Sequence, residues 1–225
     1  MQNKHLVNLH LNQHHSTMSV FKSIHLPFVK AQIGSLGLAL LLFSLSLLLG
    51  RENLFLSLNT NLGWLADQFF SLLTNLAEGW IWIPYLIIVF GWFKKDLVFI
   101  LLNFLTSTLL TQIPKNYIWP DVNRPIASGI PIAKIHTVAG VELHTYNSFP
   151  SGHTATAFSL LFLTVYFFPT KKVFWMAAIY AILCAYSRVY LGQHFPIDLA
   201  GGIIAAILSF QLSIWLRNKI KPSSF

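Results

Sequence analysis

The segment Ser187-Arg188-Val189-Tyr190-Leu191-Gly192-Gln193-His194-Phe195-Pro196-Ile197-Asp198 joins two apolar runs, 173–191 and 197–216, and its reading decides the fold. A helix needs about 20 apolar residues to cross a bilayer, and further runs near this length occupy 33–50, 79–93, 97–113 and 154–168. At 55% hydrophobic and 10% charged residues, the chain is too apolar for an ordinary soluble domain. The fold class that follows is all-α: an integral membrane bundle of six transmembrane helices. The run 79–93 is short and carries Pro84, so it either extends back through 74–78 or tilts differently from its neighbours.

Within this apolar chain, Arg188, His194 and Asp198 stand at the edge of the hydrocarbon, where ionisable groups line polar sites or bundle interiors. The net charge of +8 does not point to nucleic acid, because its distribution follows the positive-inside rule. A cytoplasmic N-terminus places Lys4, Lys22, Lys30, Lys94, Lys95, Lys171, Lys172, Arg217, Lys219 and Lys221 inside. Arg51, Lys115, Arg124, Lys134 and Arg188 then lie outside. Both termini are expected in the cytoplasm of this multi-pass cell-membrane protein, with the loops around Arg124 and His194 on the periplasmic or extracellular side.

Residues 1–28 form a polar, disordered cytoplasmic extension in this reading, with five histidines as a conceivable metal tail, and 29–225 a single membrane domain. The stretch 53–77 reads as an extracytoplasmic interfacial helix, its Phe55, Trp64, Phe69 and Phe70 at headgroup depth. The long connection 114–150 carries Pro120, Pro125 and Pro131, which argues against another span. Cys184 is the only cysteine, so no intramolecular disulfide is possible, and it reads as a packing residue.

Three clusters carry chemistry. In Lys115-Asn116-Tyr117-Ile118-Trp119-Pro120-Asp121-Val122-Asn123-Arg124-Pro125, a mobile ammonium precedes a rigid guanidinium fork that matches two phosphate oxygens. Taken alone, the pair could equally anchor the chain at lipid headgroups. In Ser148-Phe149-Pro150-Ser151-Gly152-His153, Ser151 can cap a helix whose free amides favour an anion. Gly152 allows close backbone approach, and His153 can donate a proton to a departing oxygen. In the third cluster His194 and Asp198 are spaced i to i+4, and Pro196 suits the first turn of a helix. A carboxylate on one ring nitrogen leaves the other aimed and unprotonated, as a histidine nucleophile requires.

These clusters resemble the three signatures of the type 2 phosphatidic acid phosphatase family, which also contains the vanadium haloperoxidases. Ser187-Arg188, five residues, His194, three residues, Asp198 fits the third signature, and Pro150-Ser151-Gly152-His153 fits the second. The first departs, since eight residues separate Lys115 from Arg124 where the family has six. The insertion around Trp119-Pro120-Asp121 can bulge while Lys115 still reaches a phosphate. The resemblance covers roughly 97–216.

It implies a membrane phosphatase that hydrolyses a lipid phosphomonoester or diphosphate without metal or other cofactor. His194 would attack phosphorus to form a phosphohistidine, Asp198 would hold its ring, and His153 would protonate the leaving oxygen. Lys115, Arg124, Ser151, Gly152 and Arg188 would bind the phosphate oxygens. Vanadate should inhibit by mimicking the pentacoordinate state. Undecaprenyl diphosphate, phosphatidylglycerol phosphate, phosphatidic acid and a lipid A phosphate all suit the family, and the residues do not choose among them. Glu142, His136 and His144 in the long loop are candidates for headgroup selection, or alternatively for a metal site. A lipid phosphotransferase would use the same intermediate, and a non-enzymatic transporter would also bury charges in a helical bundle.

Overall fold

The computed structural model describes residues 2–220, with side chains from Leu26 onward. Its order is α1 (Gln2–Leu49), α2 (Arg51–Leu58), α3 (Trp64–Asn75), α4 (Trp82–Trp92), α5 (Leu97–Ile113), α6 (Gly152–Phe167), α7 (Lys171–Tyr190) and α8 (Pro196–Ile220). No strand occurs among the described residues. The membrane-length part of α1 is Leu26–Leu49. As far as His25, the polar extension expected over 1–28 lies outside the residues whose side chains are described.

Among the described residues, four helices are long and apolar enough to cross a membrane: α1, α5 with the turns that flank it, α7 and α8. The other two expected spans are irregular. Helix α6 is apolar but has only 16 residues. Helix α4 does not extend back through 74–78; it forms a broken pair with α3, bent by 59° at that point. The single interfacial helix expected over 53–77 is instead two, α2 and α3, separated by Gly63 at φ +91°. Few side chains take that left-handed geometry, and Gly63 supplies it at the start of α3, after the chain has left α2 at Asn59.

The outer surface agrees with a lipid environment. Ile33, Leu40 and Leu47 stand one above another on α1 and are 56–66% exposed, an apolar stripe unsuited to water. Inside, α8 packs against α1, α5 and α6, and α6 against α7. Small hydroxyls tie these helices together: Thr106 to Ser209 at 2.7 Å, and Ser159 to Ser107 at 3.3 Å. Phe99, Phe162, Tyr166 and Phe210 form an aromatic core. Cys184 is fully buried in the same core, as a packing residue should be. At one end of α8, Arg217 pairs with Asp96, while Asp198 marks the other end, about 30 Å away at 1.5 Å per residue.

Two features place the site. Helix α7 ends on Gly192 at φ +69°, and the amides of Gln193 and His194 return to the carbonyl of Arg188 at 2.8 and 3.1 Å. That turn brings His194 back beside Arg188. At Gly202 of α8, an added Cβ would meet the Ser151 carbonyl oxygen at 2.5 Å and Thr154 Cβ at 2.8 Å. Helix α6 therefore begins directly against α8.

Candidate active site

One polar cavity of about 420 Å³ gathers residues from all three clusters. Lys115, Arg124, Gly152, His153, Arg188 and His194 line it, with Thr108, Thr111 and Gln112 from α5 and Glu78 from the α3–α4 bend. Lys115 lies in a π-helical turn, Pro114–Ile118, that widens the end of α5. The chain from Trp119 to Asn123 then loops out, pinned by hydrogen bonds from the Asn147 amide to the Pro120 carbonyl and from the Ser148 amide to the Val122 carbonyl. The wide turn and this loop accommodate the longer spacing, so Lys115 and Arg124 face the same space.

Lys115, Arg124 and Arg188 are each at most 9% exposed, and among the described residues none has a carboxylate within 4.0 Å. Burying unpaired charge is costly, so three such cations around a polar cavity form a site built for an anion. Arg124 also knits the loops: its Nε donates to the Tyr146 carbonyl at 2.9 Å and its Nη1 to Gln193 at 3.2 Å. Burial pushes its guanidinium down from the ordinary range, and the Asp198 carboxylate opposes that shift. Arg188 donates through Nη1 to Thr74 Oγ1 at 2.6 Å, while its buried Nε has no hydrogen-bond partner among the described residues.

His194 is 1% exposed, and its Nδ1 faces Asp198 Oδ2 at 3.3 Å. The carboxylate accepts, so Nδ1 carries the ring proton and Nε2 keeps a free lone pair. Burial, followed by Arg124, Lys115 and Arg188, pushes the imidazole well below its ordinary value of 6.5. Asp198 does not line the cavity; it stands behind His194, where its Oδ2 also accepts from Ser148 Oγ and from the Phe195 amide. His153 is a quarter exposed and reaches towards Glu78.

Ser151 caps α6 as expected but does not line the cavity. It is fully buried away from the cavity, and its hydroxyl accepts from the amide and the hydroxyl of Thr154 as the cap of α6. Of the three long-loop residues, His136 is separated from the other two. His136 pairs with Asp67 at 3.0 Å, and His144 lines the cavity with Glu142 3.9 Å away. Ser148, Gln193, Thr74 and Glu78 had no part in the sequence-based site. Ser148 and Gln193 sit inside the quoted clusters, whereas Thr74 and Glu78 come from a distant bend that no motif marks.

The PAP2 superfamily pattern matches residues 96–222. Over 166 residues the chain is 33% identical to a lipid A 4'-phosphatase of Porphyromonas gingivalis, covering 70% of this chain and 69% of that protein. Undecaprenyl-diphosphatase BcrC of Bacillus subtilis is 34% identical over 88 residues, which cover 39% of this chain and 45% of that protein. This match spans less than half the length of that relative. The crystal structure of a transmembrane PAP2-type phosphatidylglycerolphosphate phosphatase from Bacillus subtilis superposes with a TM-score of 0.61 at 27% identity, covering 88% of this chain and 99% of that one. The cation-lined cavity built from the matched signatures, and more than half the chain aligned to the pattern, place this protein in the PAP2 superfamily.

Proposed function

We propose that the protein is a membrane phosphatase that removes phosphate from a lipid phosphomonoester or diphosphate through a phosphohistidine at His194. The observation that carries this reading is the convergence of three buried cations, without carboxylate partners among the described residues, on a cavity that also holds His144, His153 and His194. His194 Nε2 forms a bond to phosphorus as the bond to the leaving oxygen breaks, and His153 gives that oxygen a proton. Water then attacks the phosphohistidine, His153 takes its proton, and phosphate leaves. Lys115, Arg124, Arg188 and the Gly152 amide hold charge that develops on the equatorial oxygens. Asp198 keeps the His194 ring oriented throughout.

The positive-inside count supports a cytoplasmic location for both termini, with the cavity on the opposite side. The Arg217–Asp96 end of α8 then faces the cytoplasm, together with Lys94, Lys95 and Lys219. Named relatives act on undecaprenyl diphosphate and on lipid A, which supports a membrane lipid as the substrate class. Phosphate release by purified protein, measured across lipid phosphates and diphosphates with and without chelator, tests the reading. Turnover should persist in chelator and vanish in His194→Ala. Substantial turnover in that variant would overturn the proposal.

A further inference from the structure

Three histidines line the cavity and each faces one carboxylate, His194 with Asp198, His144 with Glu142 and His153 with Glu78, and only the last pair involves a residue outside the matched span 96–222. Glu78 Oε1 lies 3.8 Å from His153 Nε2, within ion-pair range but beyond hydrogen-bond length. Among the described residues Glu78 is the only acidic side chain lining the cavity. It sits at the 59° break between α3 and α4, one turn beyond Thr74, which receives Arg188. The break thus delivers two contacts to the site, one to a phosphate-facing cation and one to the proton donor.

Resting on the phosphatase reading, we propose that Glu78 is a positioning residue for His153 that keeps its imidazolium available for protonating the leaving group. Lys115, Arg124 and Arg188 share the cavity with His153, as do His144 and His194, while Asp198 is turned to His194 behind the wall. Three positive charges oppose a fourth, and among the described residues Glu78 is the one carboxylate within 4.0 Å of the His153 ring. In the first step the His153 proton passes to the leaving oxygen as its bond to phosphorus breaks. In the second His153 recovers a proton from the attacking water, so the pair ends as it began. Asp198 serves the attacking nitrogen, and Glu78 serves the proton that leaves and returns.

The test compares two phosphate monoesters with the same lipid chain, one with an alkyl and one with a nitrophenyl leaving group. An alkoxide needs a proton to depart, whereas a nitrophenolate hardly does. In Glu78→Gln, kcat/KM for the alkyl ester should fall about tenfold at pH 7.5, with its alkaline limb moved to lower pH, and the nitrophenyl ester should lose less than about threefold. Glu78→Asp, which retains the charge, should keep more of the alkyl activity than Glu78→Gln. Equal losses on both esters, or none on either, would overturn the role of Glu78. If the wild-type protein releases no phosphate from either ester, the phosphatase reading itself fails and this proposal fails with it.

Discussion

Ser148 donates its hydroxyl to Oδ2 of Asp198 across 2.5 Å, and the same oxygen faces Nδ1 of His194. The carboxylate that faces His194, the proposed nucleophile, is therefore itself held from the far side. Removing the hydroxyl leaves Asp198 with the Phe195 amide at 2.9 Å and a slack contact to His194. A hydrogen bond to a charged group contributes on the order of 1.5–3 kcal/mol, so Ser148→Ala should lower kcat/KM by about tenfold or more. Steady-state kinetics on purified protein would check this. A change of less than about twofold would remove Ser148 from the site.

The His194 imidazole, held well below 6.5 by burial and by three nearby cations, stays neutral as the solution turns mildly acid. An unfolded chain takes up that proton near the ordinary value. Stability contributed by this histidine is therefore complete above about 6.5 and declines as the pH drops towards its lower folded value. Formation of the phosphohistidine from the nitrophenyl ester should accordingly show no loss centred near pH 6.5. Rapid-quench measurement from pH 5.5 to 8 would reveal it, and an acid limb at 6.5 that is absent from binding would contradict the assignment.

Lys115 is 9% exposed and, among the described residues, has no carboxylate within 4.0 Å, so without an anion it costs stability, which fits the proposed role in holding phosphate. Lys115→Met keeps much of the volume and discards the charge. Its Tm in detergent should rise or stay level while inhibition by vanadate weakens about tenfold or more. A lower Tm with unchanged vanadate inhibition would mark Lys115 as structural.

At Gly202 the obstacle to a side chain is backbone, not a flexible tip. Gly202→Ala must push the start of α6 away from α8, moving His153 and the Gly152 amide together. Overpacking of this kind costs about 1–3 kcal/mol, so a Tm lower by several degrees should accompany most of the loss in turnover. Full activity at unchanged Tm would show that the helices have slack there.

Sequence showed the helical membrane class and the residues of the cavity better than it showed the shape of the bundle. His194, Asp198, Arg188, His153 and Arg124 each carry a polar group that an apolar chain would otherwise avoid, so they stood out. The π-helical turn at Lys115 left no such mark, because an added residue in a turn changes hydrogen bonding without changing residue type. Ser151 was read both as a cap and as a ligand of phosphate, because the two tasks use the same residue types; its hydroxyl is engaged in the cap. Glu78 and Thr74 escaped notice since they act through a bend between helices, and no local pattern records which distant site a bend will approach.

Helix α6 carries a further consequence in its length. Sixteen residues rise about 24 Å, while the hydrocarbon of a typical bilayer is about 30 Å thick. With its far end at one surface, the end bearing Gly152 and His153 stops about one helical turn short of the other, unless the lipid layer thins to meet it. On the proposed reading, a phosphate reaching that end would be drawn below the plane of neighbouring headgroups. Turnover should thus respond to acyl-chain length in the surrounding lipids, being faster in thin bilayers, where the headgroup has less distance to sink.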